Sequence, residues 1–286
     1  MSSNALFSAN NLGLEYDVAG KMVRGILPCD IIIPESKITI IFGASGSGKS
    51  SLLNVISGLQ KPTEGSISFR NEDLYKKTKN ELAYFRAHDL GIVYQTNYWV
   101  KSLSVLDNIS MPLYFQGEAK SSAYKKGKEA LDRVDMGEFA NKYPILLSGG
   151  EQQRVAMARA IISDPAVIIA DEPTGNLDSV SARVVMELLS DIHKLGNTVL
   201  MVTHNPSLTR YADRIIYMLD GSIVYDEATA VGEIPKRVQN AVNSLRSSDE
   251  EEKLANVSAL METMPGPDKE KPKAKKKKSK KRGKKK

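Results

Sequence analysis

Ile38-Thr39-Ile40-Ile41-Phe42-Gly43-Ala44-Ser45-Gly46-Ser47-Gly48-Lys49-Ser50-Ser51 is the segment around which the rest of the chain arranges itself. Its first five residues have strand length and β-branched character, and Leu52-Leu53-Asn54-Val55-Ile56 after the loop has helical spacing. Between them stands the pattern G-x-x-x-x-G-K-[ST] in the strand–loop–helix context it requires. Gly43, Gly46 and Gly48, with Ser45 and Ser47 between them, permit backbone angles that turn successive N–H groups inward. The result is a concave anion site at a helix N-terminus. Lys49 places a point charge on the β- and γ-phosphates of a nucleotide, Ser50 offers a hydroxyl to Mg²⁺, and Ser51 completes the loop.

A second run, Ala166-Val167-Ile168-Ile169-Ala170, leads straight into Asp171-Glu172. Carboxylates at the carboxyl end of a buried parallel strand sit where α/β sheets place ligand chemistry. Asp171 is the natural partner of Mg²⁺ through a water, which leaves Glu172 to polarise an attacking water as general base. Alone, the pair reads as a plain strand exit; beside a complete phosphate cradle the catalytic reading prevails.

Leu147-Ser148-Gly149-Gly150-Glu151 opens an amphipathic helical stretch, and Ser148-x-x-Glu151 is a capping box. Any helix can begin this way. Gly149 and Gly150, however, let a ligand approach the exposed N–H groups and the positive dipole end. The chain therefore carries two helix-terminal anion sites, with 96 residues between Ser51 and Ser148. Spacing leaves open whether they meet.

Strand-like runs at 38–42, 67–69, 91–94, 166–170, 198–203 and 214–218 alternate with helical patterns at 49–57, 125–134, 151–162, 181–194 and 208–212. That alternation predicts a layered α/β domain with a largely parallel sheet. From about 96 to 164 the pattern is helical without a convincing strand, an insertion into the α/β domain. Asp220-Gly221 predicts a closing hairpin. Beyond it, 233–245 and 250–261 read as two helices before Pro265-Gly266-Pro267. The expected organisation is a nucleotide-binding domain over 5–228, a helical extension over 229–264 and a disordered Lys-rich tail over 265–286.

Charge is unevenly placed. The 286 residues carry 40 Lys and Arg against 34 Asp and Glu, net +6. Residues 269–286 hold 13 basic side chains and one acidic, net +12, which leaves 27 against 33, net −6, in the body. Such a tail cannot bury a core. It reads as a solvated end, as a contact with anionic lipid, or as nonspecific nucleic-acid contact. No apolar run approaches the ~20 residues of a membrane-spanning helix. One cysteine, Cys29, forms neither an internal disulfide nor a Cys-based metal cage, in keeping with a reducing compartment.

The cradle, Gln95, LSGGE, the carboxylate-ended strand, Asp178 in Gly175-Asn176-Leu177-Asp178-Ser179, and His204 occur in the order of the ATP-binding-cassette ATPases. The chain resembles that family over roughly 7–226, most of all the branch serving lipoprotein release, macrolide export and cell division. The resemblance implies a P-loop NTPase fold: a mainly parallel sheet, an N-terminal antiparallel β portion, and a helical subdomain between Gln95 and the strand before Asp171. It implies two cassettes pairing head to tail around two ATP with Mg²⁺. Ser148, Gly149, Gly150 and Glu151 of one subunit then grip the γ-phosphate held in the other's cradle. In this pattern Tyr16 stacks on adenine, Gln95 links Mg²⁺ and attacking water to the insertion, His204 contacts the γ-phosphate, and Asp178 lies at the dimer seam.

The partners so implied are a second cassette, identical or not, and a separate permease subunit with an extracytoplasmic domain; the place is cytoplasmic, peripheral on the inner face of the cell membrane. Nucleic acid is not an expected partner. The rival is a soluble cassette ATPase acting on ribosomes, nucleic acid or cofactor assembly. Translation-type members usually carry two cassettes per chain, and this chain carries one. The sequence departs from the branch at Gly43-Ala44-Ser45, where Gly-Pro-Ser is usual, at Lys49-Ser50-Ser51, and in Thr96-Asn97-Tyr98-Trp99-Val100-Lys101 after Gln95. That last run faces the membrane partner in the family.

Overall fold

The computed structural model describes residues 5–228. The two helices expected within 229–264 and the Lys-rich tail lie outside the described residues. One sheet has the order β10-β9-β3-β8-β7-β6. Its strands are β3 (Ile38–Phe42), β6 (Leu90–Val93), β7 (Val167–Asp171), β8 (Thr198–Thr203), β9 (Arg214–Leu219) and β10 (Ser222–Ala228). All neighbours pair in parallel except the β9–β10 hairpin.

Both faces of this sheet are covered, which explains why its strands are continuous apolar runs. Ile38, Ile40, Phe42, Ile168, Ala170, Val199 and Met201 point to one core, with the helical insertion, α5 (Gly149–Ile161) and α6 (Ser179–Lys194). The alternate residues Ile41, Val167, Ile169, Leu200 and Val202 point to the other. There α1 (Lys49–Ile56) contributes Leu52, Leu53, Val55 and Ile56, each worth about 1.5–3 kcal/mol in burial. An antiparallel sheet of order β2-β1-β4-β5 packs over α1; its strands are β1 (Ala5–Val18), β2 (Lys21–Pro34), β4 (Glu64–Phe69) and β5 (Glu72–Asp73).

The insertion holds α3 (Val105–Phe115) and α4 (Lys120–Asp132), packed on each other and on α5. The hairpin at Asp220-Gly221 and the antiparallel N-terminal sheet match expectation. Three local readings are corrected. The alternation pattern does not reveal β1 and β2, because their pairing slips register at 9–12 and 12–15 and Asn11 takes φ 49°, which interrupts the period of two. The helix expected over 208–212 is a 3₁₀ turn, Pro206–Tyr211, closed by an extended Ala212. There the Asn205 side chain accepts from Ser207 N and Thr209 Oγ1 donates to the Pro206 carbonyl, competing with α-helical bonding. A helix with a Thr78–Glu81 capping box, α2 (Lys79–His88), escapes the sequence reading because its only buried residue is Phe85.

Register brings the chemistry to one edge. Phe42 pairs with Thr203, and Asp171 pairs with Val202. The loops leaving β3, β7 and β8, which carry the cradle, Glu172 and His204, therefore emerge side by side at the carboxyl end of the parallel sheet.

Candidate functional site

The loop after β3 takes the expected form. Gly46 and Gly48 adopt φ 83° and 99°, in the left-handed region that a side chain disfavours. Gly43 is constrained by space instead: a Cβ there would lie 2.2 Å from the Met218 carbonyl oxygen. A Cβ on Gly48 would lie 2.4 Å from the Gly25 carbonyl oxygen. The hairpin turn pins the loop, since Gly221 N donates to Ser47 O at 3.1 Å and Leu27 N donates to Gly221 O at 2.8 Å. The Lys49 ammonium donates to the carbonyls of Gly43 and Ala44 at 2.9 and 2.7 Å. Burial pushes its pKa down, against the pull of Glu172 and Asp171. Ser45, Gly46 and Ser50 face outward, beside the buried Ser47 and Lys49.

Asp171 ends β7, and burial, reinforced by the neighbouring Glu172 charge, raises its pKa while Lys49 lowers it. Glu172 takes φ 47°, an uncommon conformation for a residue with a side chain, and its N–H donates to Val202 O at 3.0 Å. Its carboxylate is held from two sides. Thr203 Oγ1 donates to Oε2 at 3.1 Å, and His204 Nδ1 lies 2.7 Å from Oε1. An ionised carboxylate only accepts, so the His204 proton sits on Nδ1 in this pairing. Thr203 escapes the sequence reading because a threonine at a strand end is ordinary; its position before His204 is the only signal.

Gln95 is exposed at the end of the segment following β6, and its amide lies about the Gly175 Cα, where an added Cβ would meet Nε2 at 3.0 Å. Gly175 N in turn donates to Glu172 O at 3.0 Å, so Gln95 borders the Glu172 loop. Tyr16 donates its hydroxyl to Ser51 Oγ at 3.1 Å. Its ring lies against Gly25, where a Cβ would sit 2.5 Å from Cε2. The half-buried Tyr16 thus stands beside the cradle helix, and Gly25 is the residue that makes room for both.

Ser148 to Glu151 form the expected capping box: Ser148 Oγ accepts from Glu151 N at 3.3 Å, and Glu151 Oε2 accepts from Ser148 N at 2.7 Å. These bonds hold the Glu151 carboxyl below its ordinary range. Gly149 and Gly150 pack against Leu177 and Ser181, whose Oγ would be 2.8 Å from a Cβ on Gly150. Asp178 caps α6, accepting from Val180 N and Ser181 N at 2.9 and 3.0 Å. The predicted residues therefore fall into two groups. The cradle, Tyr16, Gln95, Asp171, Glu172 and His204 gather at the sheet edge, while Ser148–Glu151 and Asp178 gather at the facing ends of α5 and α6.

The donor set at the sheet edge suits Mg²⁺. Ser50 hydroxyl, Gln95 amide oxygen and Asp171 carboxylate are hard oxygen ligands, few enough to leave room for phosphates and water. A cation there also relieves the charge that burial disfavours on Asp171. Among the described residues no cluster of three or more His, Cys, Asp or Glu competes for a metal ion.

Comparison with known proteins places the chain in one family. The ABC transporter family model matches residues 28–175. An uncharacterized ABC transporter ATP-binding protein of Methanocaldococcus jannaschii is 43% identical over 219 residues, 77% of this chain and 98% of the relative. The lipoprotein-releasing system ATP-binding protein LolD of Geobacter metallireducens is 40% identical over 206 residues, 72% of this chain and 90% of LolD. The dimeric structure of a post-hydrolysis state of the ATP-binding cassette MJ0796, bound to ADP and Pi, superposes with TM-score 0.72 at 35% identity. It covers 78% of this chain and 98% of that one. The chain belongs to the ABC transporter family and is one of its ATP-binding cassettes, an ATPase.

Proposed function

We propose that this chain hydrolyses ATP at the edge formed by β3, β7 and β8 and uses the cycle to drive a separate membrane permease. The observation that carries the reading is the Glu172 carboxylate, fastened to His204 and Thr203 beside the Lys49 cradle. In this reading Lys49 and the loop N–H groups bind the β- and γ-phosphates and Tyr16 stacks on adenine, while Ser50 and Gln95, with Asp171 through a water, would hold Mg²⁺. That cation would neutralise phosphate charge. Glu172 takes a proton from the attacking water, and His204 orients the γ-phosphate.

Ser148, Gly149, Gly150 and Glu151 grip the γ-phosphate of a second cassette, and Asp178 meets that cassette at the seam. ATP favours closure because two surfaces share each γ-phosphate, and hydrolysis removes the shared group. The permease docks on the helical insertion, beside a groove of about 340 Å³ lined in part by Tyr98, Val100, Met111, Phe115 and Arg159. No helix among the described residues is long and apolar enough to cross a membrane. The Lys-rich tail adds attraction to anionic head groups.

The deciding experiment is sedimentation of the full-length Glu172→Gln protein with Mg-ATP, with and without its permease. A nucleotide-bound dimer with little turnover is expected; a strictly monomeric protein in both samples overturns the reading.

A further inference from the structure

Trp99 is the chain's one tryptophan and follows Gln95 by four residues, within the run that departs from the family pattern. Its Nε1–H donates to Gln152 Oε1 at 2.9 Å. An indole nitrogen only donates, which orients the amide so that Gln152 Nε2 donates to the Leu147 carbonyl at 3.0 Å. Leu147 immediately precedes the cap residue Ser148. One amide therefore ties the indole to the backbone that presents the Ser-Gly-Gly turn.

A second tie lies seven residues along the same face of α5, about 10 Å away. The Arg159 guanidinium stands 4.5 Å from the Trp99 ring centroid and donates from Nη2 to Asn97 O at 2.8 Å. Asn108 on α3 accepts from Val100 N at 2.9 Å, and its amide nitrogen lies within bonding distance of the carbonyls of Val100, Leu103 and Ser104, at 3.1, 3.2 and 2.9 Å. The segment after Gln95 is thus lashed to α5 at two points and braced by α3, so a shift of Gln95 is carried into the start of α5.

We infer that Trp99 is a positioning residue: it couples the Gln95 segment, which borders Glu172, to the α5 N-terminus offered to the partner cassette. The inference rests on the reading that Ser148–Glu151 grips the γ-phosphate in trans. Occupation of one subunit's own cradle then sets how that subunit presents Ser148 and Gly150 to the other nucleotide.

Trp99→Phe keeps a ring for Arg159 and removes the N–H donor. In the full-length Glu172→Gln background, we expect calorimetric Mg-ADP affinity to stay at the parental value. The Mg-ATP concentration for half-maximal dimerisation should rise five- to tenfold, the ordinary worth of one hydrogen bond. Gln152→Leu also loses the bond to the Leu147 carbonyl and should cost at least as much, and the double variant should cost no more than Gln152→Leu alone, since both single changes break the same Trp99–Gln152 bond. The lone indole supplies a direct signal: Trp99 emission should change with Mg-ATP in the Glu172→Gln protein and not with Mg-ADP. Dimerisation of Trp99→Phe at the parental ATP concentration overturns the coupling, and so does an equal loss of Mg-ADP affinity, the mark of mere packing. Failure of the Glu172→Gln parent to dimerise overturns the underlying reading instead.

Discussion

His204 Nδ1 lies 2.7 Å from Glu172 Oε1, joining two residues 32 positions apart at the ends of neighbouring strands. The carboxylate is largely covered while the imidazole is 60% exposed, so the contact leaves Nε2 free to meet a ligand arriving from outside. Glu172→Gln preserves the shape and removes the base, and turnover should fall by about 10² to 10⁴ with nucleotide affinity retained. Thr203→Val removes the donor to Oε2 together with the acceptor of Asn205 N, and should lower kcat about fivefold at unchanged KM. Steady-state ATPase assays measure both; ordinary turnover in Glu172→Gln would sink the assignment.

Lys49→Ala acts on the cradle twice over. It removes the charge aimed at the phosphates and the clasp onto the Gly43 and Ala44 carbonyls. Nucleotide affinity, measured by calorimetry with Mg-ADP, should fall at least tenfold. An unchanged affinity would show that the loop binds no phosphate.

Two capping boxes of the same chemistry, Thr78–Glu81 and Ser148–Glu151, allow a controlled comparison. Ser148→Ala should cost about 1 kcal/mol of stability, the usual worth of an N-cap, and Thr78→Ala should also destabilise. Only Ser148→Ala should impair ATP-dependent dimerisation; equal impairment by both would reduce Ser148 to a cap.

The same box sets a pH dependence. Glu151's carboxyl is held below its ordinary range by Ser148, so its contribution is fully present above the unfolded value of about 4.3. It fades as pH falls through the lower folded value. The melting-temperature gap between the parent and Glu151→Ala should therefore be full at pH 7 and shrink toward pH 3. A gap that widens on acidification contradicts this sign.

Phe115, 80% exposed at the end of α3, borders the groove beside Tyr98 and Met111. Phe115→Asp should weaken co-purification with the permease while leaving basal ATPase activity intact, because an apolar contact is replaced by a charge that must be desolvated. For the tail, deletion of 269–286 should reduce binding to vesicles containing anionic lipid at low salt, with the difference vanishing at high salt. Binding that ignores both the deletion and the salt removes the tail from the membrane contact.

Much of the site is legible in the linear chain because its parts are local. Gly43 through Ser51, Asp171-Glu172 and Ser148 through Glu151 are contiguous groups, and the complete cradle is what turns the carboxylate pair from a plain strand exit into a catalytic candidate. β1 and β2 are harder to see because bulges break their alternation, and α2 because only one of its side chains is buried.

Residue order thus settled which groups exist and which short elements carry them, since turn geometry, capping and apolar period act over a few residues. Folding settled which groups meet. Asp171 pairs across to Val202, Gly48 leaves room for the Gly25 carbonyl, Thr203 reaches Glu172, and Trp99 bonds Gln152. Those meetings depend on strand order and register between segments tens of residues apart, and no local period encodes such a register.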